Sequence, residues 1–204
     1  MAGEEPAFGA IEASLKKTVA ALREAGVPFL VGGSLASWAR GGPETHHDLD
    51  FIVKPEDADA ALVALEEAGM RPEHPPEDWL YKAWDGDVLI DVIFGPRGLE
   101  VTDELIERGE TVQTLGITMP LMSIEDMLAT KLMALDQHDL DYSSVLEIAR
   151  DLREQIDWRT LRSRTRGSAY AAAFFTLVEE LDIASPAEGE GADVRVLTPR
   201  DQQA

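Results

Sequence analysis

The sequence predicts an α/β fold, a small mixed β-sheet core with flanking helices over residues 1–120, followed by an all-helical region over 121–184. Two observations predict the core. Segments with apolar residues at helical spacing alternate with short apolar runs, and glycine or proline punctuates the changes between them. A third predicts the second region, because from Ser123 onward every apolar pattern is helical.

The first element, AIEASLKKTVAALREA (10–25), places Ile11, Leu15, Val19 and Leu22 on one face, and Gly26 ends it. VPFLVGG then reads as a buried strand running into a glycine turn, SLASWARGG as a short helix and DLDFIV as a second strand. From Pro55 to Gly69, Ala58, Leu62 and Leu65 recur at helical spacing behind an opening proline. Pro72 to Pro76 reads as a turn. WLYKAW and VLIDVIF flank Asp85-Gly86-Asp87, the composition of a tight hairpin. A weak helix is expected near 101–108, and ETVQTL with GITMP reads as one more edge strand. The helical region comprises SIEDMLATKLMAL, YSSVLEIARDLREQI, DWRTLRSRT and SAYAAAFFTLVEELDI. The tail 185–204, rich in Gly, Pro and small polar residues, is expected to be disordered.

Charge limits the function. Against 18 basic residues stand 39 acidic ones, a formal net charge of −21, which repels polyanions and argues against extended DNA binding. A local nucleotide site is still compatible with that charge if cations neutralise part of it. With no cysteine, a metal would take carboxylate, imidazole or carbonyl ligands, and the oxygen ligands among them point to a hard ion such as magnesium. The acidic start MAGEEPAFGAIEASLKK does not read as a signal peptide, and no apolar run approaches membrane-spanning length. The expectation is a cytoplasmic protein without a membrane partner.

Asp48 and Asp50, two residues apart in a strand, leave from one face with Cα atoms about 6.5 to 7 Å apart. They could grip divalent metal, or they could be solvated turn residues. Asp91 interrupts the apolar run VLIDVIF and either shares a metal with Asp48 and Asp50, makes a salt bridge to an arginine, or sits on a strand edge facing water. Lys131 occupies a slot within the helical stripe Ile124, Met127, Leu128, Leu132, Leu135. It either meets an anion or extends its stem to water. Gly32, Gly33 and Ser34 stand where a strand gives way to a helix, so they could offer N–H groups to a phosphate, or Ser34 could simply cap the helix. His46 and His47 could ligate, carry a proton or make backbone hydrogen bonds.

Taken together, Gly-Gly-Ser, Asp-x-Asp and a later strand aspartate resemble the DNA polymerase β-like nucleotidyltransferase superfamily. GGSLASWARGGPETHHDLDFIV is similar to the antibiotic nucleotidyltransferases. IDVIF, MPLMSIEDMLATKLMAL and DYSSVLEIARDL are similar to the AbiEii/MenT-type toxin group. The resemblance covers about residues 10 to 182 and implies a nucleotidyltransferase core. It implies that Asp48, Asp50 and Asp91 are catalytic and hold Mg2+, with Asp91 completing the site or serving as base. It further implies nucleotide binding by Gly32, Gly33, Ser34, Lys131 and Asp141, the last chosen over Asp139. Two departures stand out: Glu44 and Thr45 replace an arginine expected in antibiotic-modifying relatives, and Ser144 stands where the toxin group often has an acid.

The expected activity is magnesium-dependent transfer of NMP from an NTP such as ATP to an acceptor hydroxyl on a small molecule, a protein or an RNA end. The rival expectation is a noncatalytic acidic antitoxin, or another partner-binding protein on the same fold, paired with a toxin in a toxin-antitoxin system.

Overall fold

The computed structural model describes residues 8–43 and 48–185. His46, His47, the Glu44–Thr45 departure and residues 186–204 of the tail lie outside them. Helix α1 (Phe8–Glu24) buries Ile11, Leu15, Val19 and Leu22, the predicted stripe, and the chain turns at Gly26 with φ +68°. Strand β1 (Phe29–Val31), helix α2 (Gly33–Trp38) and strand β2 (Leu49–Val53) follow, then a 3-10 turn (Pro55–Asp57) and helix α3 (Ala58–Glu67). Next come β3 (Arg71–Glu73), β4 (Leu80–Asp85) and β5 (Val88–Ile93), joined by the expected tight turn at Gly86-Asp87, with Gly86 at φ +63°. Helix α4 (Asp103–Glu107) leads into β6 (Glu110–Thr114) and β7 (Ile117–Leu121).

These strands form one mixed sheet in the order β3-β4-β5-β2-β1-β7-β6. β2 runs parallel to β5 and β1 parallel to β7, while the other neighbours are antiparallel. Two expectations need correction. Arg71–Glu73 is a strand, and Pro72 is tolerated because β3 is the sheet edge. The segment expected to add one edge strand is a two-strand hairpin closed by Leu115 (φ 50°) and Gly116 (φ 74°), and β7 lies inside the sheet beside β1.

The C-terminal part is helical: α5 (Ile124–Ala134), α6 (Ser143–Asp151), α7 (Trp158–Arg164) and α8 (Ala169–Glu180). Its buried Leu128, Leu132, Phe174 and Val178 belong to the same hydrophobic cluster as Val31, Phe51 and Leu121 of the sheet. Ser123 caps α5 by accepting from the Asp126 N–H and donates its hydroxyl to the Asp126 carboxylate at 2.8 Å. That carboxylate is fully buried and meets Arg164 at 2.8 Å and Arg108 at 3.3 Å, so it ties α5 to α7 and to the end of α4. Among the described residues no helix is long and apolar enough to cross a membrane.

Candidate active site

The parallel pairing of β2 with β5 places Asp50 directly beside Asp91, and Asp48 immediately precedes β2. One carboxylate oxygen from each of Asp48, Asp50 and Asp91 lies within 4.8 Å of the other two. The residues alternating with them, Phe51, Ile90 and Val92, are fully buried. Each strand therefore presents one face to core and the other to the carboxylates. Three oxygen donors this close suit a hard divalent cation.

Lone carboxylates at this density repel one another. Burial pushes the Asp50 carboxyl up to about 7, and repulsion from Asp48 and Asp91 adds to the effect, while Lys131 and Lys82 oppose it. Burial also raises Asp91, against the hydrogen bond it receives from Lys82. That bond spans 2.9 Å from Lys82 Nζ to Asp91 Oδ1. Asp91 thus has the ion-pair partner that a carboxylate in an apolar strand needs, and the partner is a lysine on the neighbouring strand.

Gly33 has φ +57°, and a Cβ on it would lie 1.6 Å from Asp50 Oδ2. Close backbone approach is thus required here by Asp50 itself. Gly32 N–H donates to the Asp50 carbonyl at 2.9 Å, which fastens the turn to β2. Gly32 is also the N-cap of α2 and Ser34 its second residue, so Ser34 is not the cap.

A cleft of about 640 Å³ opens beside Asp50, between the ends of β2 and β5 and helix α5. Gly33, Trp79, Arg97, Thr130 and Lys131 lie on its walls. Asp139 lines the cleft as well, whereas Asp141 does not. Asp141 is exposed and accepts the Ser143 N–H at 2.8 Å, and its bonding to Ser143 holds its carboxyl below the usual range. A cavity of about 860 Å³ elsewhere, lined by Arg153, Trp158 and Arg162, contains none of these residues.

Sequence reasoning passed over Lys82, Trp79 and Arg97. Lys82 carried a usable signal: counting back from the Gly86-Asp87 turn pairs Asp85 with Val88 and therefore Lys82 with Asp91. Trp79, 40% exposed, stands opposite Phe94 in that same register, and Phe94 is not a predicted site residue, while Arg97 lies beyond the end of β5.

With this geometry in view, the comparisons decide the family. The sequence model of the family described as uncharacterised nucleotidyltransferase matches residues 10–179. The chain belongs to that family. Solved structures agree in fold. The antibiotic-resistance factor ANT(2″)-Ia, solved in complex with adenylyl-2″-tobramycin, is 18% identical at a TM-score of 0.59, covering 80% of this chain and 98% of its own. A candidate nucleotidyltransferase of Thermotoga maritima is 19% identical at a TM-score of 0.51, covering 65% of this chain and 89% of its own. No curated protein matches the chain. This nucleotidyltransferase therefore brings three carboxylates together, and one of them, Asp50, shares a cleft with Gly33 and Lys131.

Proposed function

We propose that this nucleotidyltransferase moves an NMP group from a nucleoside triphosphate to an acceptor hydroxyl, with magnesium held by Asp48, Asp50 and Asp91. The observation that carries the reading is the convergence of three carboxylates within 4.8 Å, one of which, Asp50, lines a cleft that also presents Lys131. The same fold in a protein solved with adenylylated tobramycin supports the reaction class.

In this reading the acceptor oxygen attacks the α-phosphorus, its bond to phosphorus forms, and the bond to the bridging oxygen breaks as pyrophosphate leaves. Magnesium bound at the carboxylates supplies charge stabilisation for the entering and leaving oxygens. Asp91 would offer one carboxylate oxygen to magnesium and accepts the hydroxyl proton on the other. Lys131 meets the triphosphate, and Gly33 and Ser34 at the start of α2 approach it with backbone and hydroxyl groups. The helices of 121–184, which supply one wall of the cleft through α5, close over the nucleotide and select the acceptor.

Incubation of the protein with each α-labelled triphosphate, magnesium and fractionated cell extract tests the proposal. Label should enter one size fraction, and Asp48→Asn should abolish the transfer while leaving the fold intact. Equal labelling by wild type and the variant would refute the carboxylate assignment.

A further inference from the structure

We infer that Lys82 is a built-in counter-cation of the carboxylate cluster, competing with divalent metal for Asp91 so that the site binds metal weakly until nucleotide arrives. The inference rests on the metal reading above and concerns how that site is controlled.

Backbone register sets the arrangement. One face of the sheet carries a row of aligned residues, Asp50 on β2, Asp91 on β5, Lys82 on β4 and Glu73 on β3. Lys82 thus has a carboxylate on either side. Its ammonium lies 2.9 Å from Asp91, while Glu73 accepts the Trp84 indole N–H at 2.8 Å and stands 3.7 Å from Arg71. Glu73 is already supplied with donors, so Asp91 is the partner of Lys82. β4 is paired along both edges, which fixes the lysine backbone and leaves only the side chain free to swing.

The Lys82 and Asp91 side chains are only 24% and 12% exposed, so water screens their interaction poorly. A divalent ion joining the same carboxylates meets this ammonium across a single carboxyl group. Ionised to receive a metal, the three carboxylates carry three negative charges, and Lys82 offsets one of them. A triphosphate brings fresh negative charge to the cleft on the side of Lys131 and tips the balance back toward metal. Metal and nucleotide then bind cooperatively, each raising the other's affinity.

Mn2+ binding to nucleotide-free protein, followed by electron paramagnetic resonance, tests this in wild type, Lys82→Gln, Lys82→Arg and the double variant Lys82→Gln/Asp50→Asn. Glutamine keeps a donor for Asp91 and removes the charge, so Lys82→Gln should bind Mn2+ about ten-fold more tightly. Lys82→Arg should stay near wild type, and the double variant should lose the tight site. Binding that depends on Asp50 but is no tighter in Lys82→Gln would overturn the inference alone. Binding that ignores Asp50 would overturn the metal reading and the inference with it. A second measurement needs no variant. Pulse labelling of lysines in wild type should show Lys82 becoming more reactive as Mn2+ saturates the site, and unchanged reactivity at saturation would refute the competition.

Discussion

Asp50→Asn should make the metal-free protein more stable, and the gain should grow with pH. The Asp50 carboxyl titrates at about 7 in the native protein, against 3.8 for an unperturbed group, because of burial first and repulsion from Asp48 and Asp91 second. Between about pH 4 and pH 7 the native state holds a proton that the unfolded chain has released. The stabilising term is therefore complete below pH 4 and is lost as pH rises to 7. Each pH unit in that window costs about 1.4 kcal/mol. A displacement of roughly three units amounts to about 4 kcal/mol by pH 8. Asparagine has nearly the same shape and no such slope.

Urea denaturation in EDTA at pH 5 and pH 8 reads the effect. Two units of the window lie above pH 5, so the advantage of Asp50→Asn over wild type should increase by about 3 kcal/mol from pH 5 to pH 8. Magnesium added at pH 8 should then stabilise wild type and leave the variant unchanged. An advantage that stays constant between the two pH values would refute the claim that the native fold holds this carboxyl neutral.

Three further predictions follow from contacts already described. In Gly33→Ala the new Cβ would fall 1.6 Å from Asp50 Oδ2, at a backbone φ of +57°, so turnover should fall about a hundred-fold or more through misplacement of one carboxylate; steady-state kinetics with undiminished turnover would contradict it. Lys131→Met should raise KM for the triphosphate about ten-fold while leaving nucleotide-free Mn2+ binding in place, and an unchanged KM would remove Lys131 from the nucleotide site. Asp126→Ala leaves Arg164 and Arg108 without their buried partner and should cost about 3 kcal/mol in urea denaturation, with activity per folded molecule retained.

The chain shows parts of this site plainly. Asp91 was conspicuous because a charge stood in an apolar run, and the β4–β5 hairpin was conspicuous because Asp-Gly-Asp is turn chemistry. The β6–β7 hairpin was not, because its turn puts Leu115 at φ 50°, a conformation that leucine does not advertise. Pro72 to Pro76 reads as a turn since proline argues against strands, and only the place of β3 at the sheet edge reconciles Pro72 with a strand. Asp126 reads as an acid in the first turn of a helix. That two arginines from different elements converge on it is a fact of tertiary packing with no local trace. The contact between Gly33 and Asp50 is of the same kind: each residue has a turn-like reading by itself, and only the alignment of β1 with β2 shows that one requires the other.

Like charges gathered this closely need an opposing force, and the alternation of the strands supplies it. Asp50 and Asp91 share a register position, and the residues flanking them in sequence, Phe51 on β2 with Ile90 and Val92 on β5, are fully buried on the opposite face. Sliding β2 by one residue would turn the carboxylates into that core and Phe51 out of it. Burial of a side chain of this size stabilises by about 1.5–3 kcal/mol, and several such residues together outweigh the carboxylate repulsion. Lys82 and Lys131 reduce that repulsion further, and both act to lower the Asp50 pKa. The cluster is thus held by its hydrophobic neighbours at a geometry it would not choose unaided, and a bound cation relieves it. Removing the core residue should therefore disperse the carboxylates as well as weaken the fold. Phe51→Leu should lower Mn2+ affinity even under conditions where the variant remains fully folded, and unaltered affinity would show that the register is fixed elsewhere.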